Sequence, residues 1–305
     1  MGYVIGIDVG GTSFRIGLVK NRREIKLFRK VPVRSVFSSE DPLRDLTEYL
    51  KVYLQTAEKA GICPEAVAIG FPATLDKERR RVLQAPNIPF MENLPVQETL
   101  QTALGLPVMI DRDVVFALAY DRDAYGLPDC EVLIGCYFGT GIGNAISVNG
   151  RILTGRNGTA GELGHIPVDG NYRRCGCGNE GCMETVAGGK YLAALCADEY
   201  ADTCIGKLFR VHGEDGVLRQ FVERMAMAVA AEINILDPDY VLIGGGVPNM
   251  EGFPREYLVS CIRKYSRKPY PAENMQLIFT EDPEDKCVIG AAICAVEWLR
   301  TGVSL

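Results

Sequence analysis

One local pattern, a buried strand, a glycine turn and a second strand, occurs twice in this chain and limits the folds open to it. The first copy reads Tyr3-Val4-Ile5-Gly6-Ile7-Asp8-Val9, then Gly10-Gly11-Thr12, then a strand from Phe14 to Val19. The second reads Val132 to Phe138, then Gly139-Thr140-Gly141-Ile142-Gly143, then a strand from Asn144 to Val148 closed by the hairpin signal Asn149-Gly150. Recurrence of a whole supersecondary unit points to an internally duplicated fold of two α/β domains. No low-complexity linker separates the halves, so they are expected to pack around a shared cleft. At 305 residues the chain is long enough for two medium domains.

The remaining periodicity is consistent with that plan. Leu43, Leu46, Leu50, Tyr53, Leu54 and Ala57 recur at helical spacing over 41–60. Ala66 to Gly70 and Pro107 to Ile110 read as buried strands, with a helix over 94–104 between them and another after Asp113. Helices are predicted around 187–200 and 216–236, a strand over Tyr240 to Ile243, a third glycine turn at Gly244-Gly245-Gly246, and a closing helix from Gly290 to Leu299.

The glycine turns suggest chemistry. Asp8 ends a buried strand, and the N–H groups of Gly10 and Gly11 can form a concavity for phosphate oxygens, with the Thr12 hydroxyl as a further donor. Gly139, Thr140, Gly141 and Gly143 repeat the device, and Gly244, Gly245 and Gly246 allow close approach of a nucleoside. Neither turn spells the Gly-x-Gly-x-x-Gly pattern that opens a helix in dinucleotide-binding folds. Asp113 follows a strand and precedes an apolar helix, so its carboxylate is expected to reach a cleft; Asp111 is the competing candidate, and both also suit a helix N-terminus.

A second cluster is denser still. His165, Cys175, Cys177 and Cys182 fall within about two dozen residues and supply the ligand set of a closed tetrahedral Zn²⁺ site. The chain has only two histidines, which makes His165 at this spacing informative; His212 lies in a polar stretch and is expected at the surface. Four protein ligands leave no open position, so the metal is structural and steadies the flanking Glu162 and Glu184. Of the other cysteines, most are expected to be small buried hydrophobes.

Composition excludes several classes. A net charge of −6 argues against a nucleic-acid-binding face. No apolar run approaches the roughly 18 residues of a membrane span, and the N-terminus runs straight into a strand without a signal peptide. Eleven cysteines without an export signal suggest a reducing, cytoplasmic setting.

Taken together, Asp8-x-Gly10-Gly11-Thr12, Gly139-Thr140-Gly141-x-Gly143, Gly161-Glu162-x-Gly164-His165 and Cys175-x-Cys177-Gly178-x-x-Gly181-Cys182-x-Glu184 resemble the ROK family of sugar kinases, repressors and related proteins. The resemblance spans essentially the whole chain. It implies the actin-like ATPase fold, related to ribonuclease H, with residues 1–112 plus 288–305 as one domain and 113–287, holding the zinc motif, as the other. It also implies ATP with Mg²⁺, a hexose phosphorylated at its 6-hydroxyl, and a homodimer. By position, Asp113 matches the catalytic base. Asn87, Glu162, His165 and Glu184 match sugar contacts, and Arg112 stands where the family approaches the 3- and 4-hydroxyls.

Two departures refine the comparison. Most family kinases have Asn-Asp followed two residues on by a second Asn, whereas this chain reads Arg112-Asp113-Val114-Val115. The usual Pro-Gly turn after Gly70 becomes Phe71-Pro72-Ala73. Both departures, with Pro86-Asn87-Ile88-Pro89, Ala160 to Pro167 and Phe253-Pro254-Arg255-Glu256, are similar to members that phosphorylate D-allose. Glucose and N-acetylmannosamine are the alternative substrates. A sugar-responsive repressor is less expected, because the first glycine turn begins too early to leave room for a preceding helix-turn-helix.

Overall fold

The computed structural model describes residues 2–302; Met1 and the last three residues of the expected 288–305 segment lie outside them. The chain forms two compact units. The first runs to Pro128, takes in Thr154–Ala160 and resumes at Pro283. It contains β1 (Tyr3–Val9), β2 (Ser13–Lys20), β3 (Glu24–Pro32), α1 (Pro42–Lys59), β4 (Pro64–Phe71), β5 (Thr74–Leu75), β6 (Val82–Gln84), α2 (Val96–Leu104), β7 (Val108–Arg112), α3 (Asp113–Ala124) and, last in the chain, α9 (Lys286–Thr301).

Its five-stranded sheet has the order β3-β2-β1-β4-β7, with β1, β4 and β7 parallel and β2 and β3 antiparallel to their neighbours. The central strands β1 and β4 are buried along nearly their whole length, which is why they read as continuous apolar runs rather than alternating ones. Side chains alternate across the sheet. Ile5, Ile7 and Val9 therefore join one core with Leu46, Leu50 and Tyr53 of α1. Gly6 points the other way, to α9, where a Cβ would stand 2.0 Å from the Val288 carbonyl oxygen.

Helix α1 starts where Asp41 accepts the Arg44 N–H at 3.0 Å and Pro42 occupies the first turn, an ordinary N-terminal cap. Helix α3 packs on α9 and β4 within this unit. A Cβ at Gly290 of α9 would lie 1.9 Å from the Phe116 carbonyl of α3, so the two helices meet backbone to backbone. That packing keeps α3 with the first unit, although the sequence-based boundary falls at its first residue.

The second unit comprises Asp129–Leu153 and Gly161–Asp282. It contains β8 (Val132–Phe138), β9 (Ile142–Val148), β10 (Arg151–Ile152), α4 (Glu184–Ala187), α5 (Gly189–Glu199), α6 (Leu208–His212), α7 (Gly216–Leu236), β11 (Tyr240–Gly244), α8 (Arg255–Tyr265) and β12 (Leu277–Phe279). Its sheet order is β10-β9-β8-β11-β12, with the same pattern of parallel and antiparallel neighbours as the first. The expected hairpin turn forms, with φ of 51° at Asn149 and 74° at Gly150. Leu218, Phe221, Val222, Met225 and Val229 of α7 share a core with Ile134, Phe138 and Ile243 of the sheet.

The same sheet order built twice is the duplicated arrangement of the actin-like ATPase fold. Among the described residues no helix is long and apolar enough to cross a membrane.

Candidate active site

In the first unit the acidic residues gather at the C-terminal ends of the parallel strands. Register pairs Asp8 of β1 with Gly70 of β4, and Gly70 with Asp111 of β7, so Asp8 and Asp111 lie level on either side of Gly70. Asp8 is 7% exposed and held by Arg15, whose Nη1 lies 2.6 Å from its Oδ2. The turn after it is open: Gly11 and Thr12 are exposed, while the Gly10 N–H is already given to the Ser13 carbonyl at 2.9 Å. Asn87 is exposed, and its backbone carbonyl closely flanks Gly11.

The two competing acids separate clearly. Asp111 is buried, with Arg79 Nε 3.1 Å from its Oδ1, and the same oxygen accepts the Arg112 N–H at 2.7 Å. Asp113 opens α3, and its Oδ1 accepts the Val114 N–H at 2.8 Å. Burial, reinforced by the negative charge of Asp8, pushes the Asp113 carboxyl up to about 7, against the opposing pull of the Val114 N–H and Arg112. A carboxylate poised near neutrality is suited to accept a proton from a hydroxyl. Asp111, already engaged by Arg79, is not.

The second unit brings two glycine turns together. Gly139 to Gly141 follow β8, and Gly244 to Gly246 lie at the end of the adjacent parallel strand β11, where Gly244 pairs with Tyr137. Strand C-terminal ends are where open α/β sheets bind ligands. The Val247 N–H donates to the Phe138 carbonyl at 2.9 Å, and Gly245, with φ of 91°, leaves no room for a Cβ beside that carbonyl. Gly139 donates its N–H to the Gly141 carbonyl at 3.0 Å, so the free surface of the turn is centred on exposed Thr140. Gly143 differs from its expected place: it is in β9, paired with Tyr137, and belongs to the strand rather than the turn.

Glu184 joins this turn to the cysteine hairpin. Its Oε2 accepts the Ile142 N–H at 3.0 Å, and a Cβ on Gly141 would come within 2.0 Å of that same oxygen. The N–H groups of Gly189 and Lys190 donate to the carbonyls of Gly139 and Thr140, each at 2.8 Å, which ties the turn to the start of α5.

The donor atoms of His165, Cys175, Cys177 and Cys182 all lie within 4.8 Å of one another. Cys175 Sγ is 3.6 Å from His165 Nδ1, and Cys177 Sγ is 3.7 Å from Cys182 Sγ. A tetrahedral zinc bound at ordinary distances sets donor separations of roughly 3.5–3.8 Å. The residues therefore fit Zn²⁺. With Nδ1 turned to the thiolates, Nε2 faces outward, 3.6 Å from Glu162 Oε2.

Other expectations need adjustment. His212 is half-buried rather than at the surface, with Nε2 2.9 Å from Thr203 Oγ1 and its ring 4.6 Å from that of Tyr200. Cys136, Cys196, Cys261 and Cys294 are buried, but Cys63 and Cys204 are exposed. Sequence reading missed Arg15 and Arg79. Arg15 lies directly across the hairpin from Asp8, so strand register could have revealed it. Arg79 stands in the charged run Lys77 to Arg81, which reads as solvated surface and gives no signal.

Comparison with known proteins gives consistent results. The profile of the ROK family matches residues 4–297. A glucokinase of Thermotoga maritima is 28% identical, over 95% of this chain and 96% of its own. An N-acetylmannosamine kinase of Salmonella typhi is 29% identical, over 95% of this chain and 97% of its own. Among solved structures, a ROK family glucokinase from Streptomyces griseus, in complex with glucose and AMPPNP, superposes with a TM-score of 0.73 at 26% identity, covering 95% of this chain and 98% of that one.

Proposed function

The chain belongs to the ROK family, and from that premise we propose that it is an ATP-dependent hexose kinase that transfers the γ-phosphoryl group to the 6-hydroxyl of D-allose. The glucokinase and N-acetylmannosamine kinase relatives support the reaction class. The observation that carries the reading is the pair Arg112-Asp113 at the end of β7, a buried guanidinium followed by a carboxyl pushed up to about 7.

Asp113 is the base: it accepts the proton of the 6-hydroxyl as that oxygen attacks phosphorus. Phosphoryl transfer needs mostly positioning and charge stabilisation, and the turns at Gly10-Gly11-Thr12 and Gly139-Thr140-Gly141, with Gly244-Gly245-Gly246, supply backbone and hydroxyl donors for the nucleotide. Mg²⁺, when bound, neutralises charge on the phosphates. Asp8 is a carboxylate fit to orient it through water, since this ion keeps several waters and takes few carboxylates. Asn87, Arg112, Glu162, His165 and Glu184 contact sugar hydroxyls, and His165 divides its ring, Nδ1 for zinc and Nε2 for the sugar.

Selectivity is assigned to Arg112. Allose and glucose differ only in configuration at carbon 3. A guanidinium in place of the usual amide reaches the inverted hydroxyl and is left poorly paired by glucose. An unmet buried hydrogen-bonding group costs about 1–3 kcal/mol, enough for roughly ten- to hundredfold discrimination. The test is a coupled ADP-release assay across allose, glucose, mannose and N-acetylmannosamine, on wild type and Arg112→Asn. Allose should give the highest kcat/KM, and the variant should shift towards glucose. An unchanged preference removes Arg112 from the selectivity argument, and a wild type that prefers glucose removes allose.

A further inference from the structure

Arg79 lies in the turn between β5 and β6 with φ of 56°, a left-handed conformation that long side chains rarely adopt, and it is only 9% exposed. Strain of this kind persists only where the surroundings enforce it. Its guanidinium is only partly hydrogen-bonded as well: Nη2 is buried and makes no hydrogen bond among the described residues, and Nε, also buried without one, has the ion pair to Asp111. A buried, strained and incompletely bonded arginine is a poor device for stability alone.

One of its contacts, Asp111, directly precedes Arg112 and Asp113 in the chain. Nε is 3.1 Å from Asp111 Oδ1, the oxygen that also takes the Arg112 N–H at 2.7 Å. One oxygen of the Asp111 carboxylate is thus shared between Arg79 and the backbone that presents Arg112 and Asp113. Nη1 donates to the Gly158 carbonyl at 2.9 Å and reaches the Asp76 carbonyl at 3.4 Å, which fixes the plane of the guanidinium. The hairpin that Arg79 closes continues from β6 through Ala85 and Pro86 into Asn87.

We propose that Arg79 is a positioning residue for sugar recognition: by clamping Asp111 and closing the β5–β6 hairpin, it sets the placement of Arg112, Asp113 and Asn87. The inference rests on the hexose-kinase reading of the same site. Lysine is the discriminating replacement, because it keeps the charge but cannot serve Asp111 and Gly158 at once through a planar fork.

The experiment compares wild type and Arg79→Lys by coupled ADP release with the hexose that wild type prefers, beside a thermal melt. The expected result is a KM for sugar raised roughly tenfold or more, with the KM for ATP changed by less than about twofold and a cooperative melt retained. A folded variant with an unchanged sugar KM, or with both KM values raised together, overturns the proposal. If Arg79→Lys does not fold, Asp111→Asn, which keeps an acceptor for the Arg112 N–H but loses the ion pair, is judged on the same two KM values. A wild type idle with every hexose sinks the kinase reading and this inference with it, whereas an active wild type with a normal sugar KM in the variant sinks this inference alone.

Discussion

The two units share one sheet plan and put different chemistry on it. In the first, the ends of β1 and β7 carry charged side chains, Asp8 held by Arg15 and Asp111 held by Arg79, and Asp113, raised towards neutrality, follows β7 at the start of α3. In the second, the corresponding ends of β8 and β11 carry glycine turns with almost no side chain, and the charged groups stand on a separate hairpin organised by His165 and three cysteines. A duplicated scaffold thus fixes where strands end, while local substitutions decide whether an end offers a proton acceptor or backbone N–H groups. Under the proposed function the first unit supplies the proton acceptor together with Asn87, Arg112 and one glycine turn, and the second supplies two further glycine turns and the remaining sugar contacts.

The largest expected effect tests the first half of that contrast. Asp113→Asn should lower kcat by roughly 10²-fold or more and leave sugar binding, measured by calorimetry, nearly intact. In wild type, log kcat/KM should climb as pH rises and level off above about 7, because the base must be ionised and its carboxyl is pushed up to that value. Turnover near normal in the variant rejects Asp113 as the base.

The next tests the second half. Cys182→Ser removes one of the four donors, and metal analysis should find the zinc stoichiometry reduced from about one per chain. Because Cys182 is adjacent in sequence to Met183-Glu184, the hairpin should loosen and sugar affinity should fall by roughly 10–100-fold. Full zinc content with normal affinity in Cys182→Ser would dismiss the metal staple.

The smallest effect on turnover concerns the core of the second unit. Glu232 on α7 is buried at 6% exposure, and its Oε2 accepts from Asn144 Nδ2 at 2.9 Å and the Cys136 thiol at 3.3 Å. Burial outweighs both hydrogen bonds and pushes its carboxyl up to about 7 from 4.5. Between those values the folded chain holds more of this proton than the unfolded chain, so stability is greatest below about 4.5 and declines as pH rises through about 7. Glu232→Gln removes that decline. Denaturant titration at pH 8 and pH 5 should show the variant gaining on wild type at the higher pH by on the order of 2 kcal/mol. A difference independent of pH would mean that Glu232 does not titrate in this range.

Much of this was legible in the chain itself. Strand β1, the turn at Gly10-Gly11 and helix α7 follow from apolar runs, glycine and 3.6-residue periodicity, all of which act over a few neighbouring residues. The cluster of His165 with Cys175, Cys177 and Cys182 was legible because residues so closely spaced can converge within one hairpin wherever it lies. The closing helix begins at Lys286 rather than Gly290: its first turn, Lys286-Cys287-Val288-Ile289, carries a buried ion pair of Lys286 with the distant Asp121 at 2.8 Å, which periodicity does not register.

What the sequence determined by itself, then, was the duplicated strand-and-turn plan, the grouping of His165 with Cys175, Cys177 and Cys182, and Asp113 as a candidate, because each rests on local spacing. Only the tertiary structure moved Gly143 into a strand, buried Glu232 and drew Arg79 out of a charged run onto Asp111. Those outcomes depend on which distant groups come within a few ångströms and how much water they exclude, and neither quantity is encoded in any short stretch of residues.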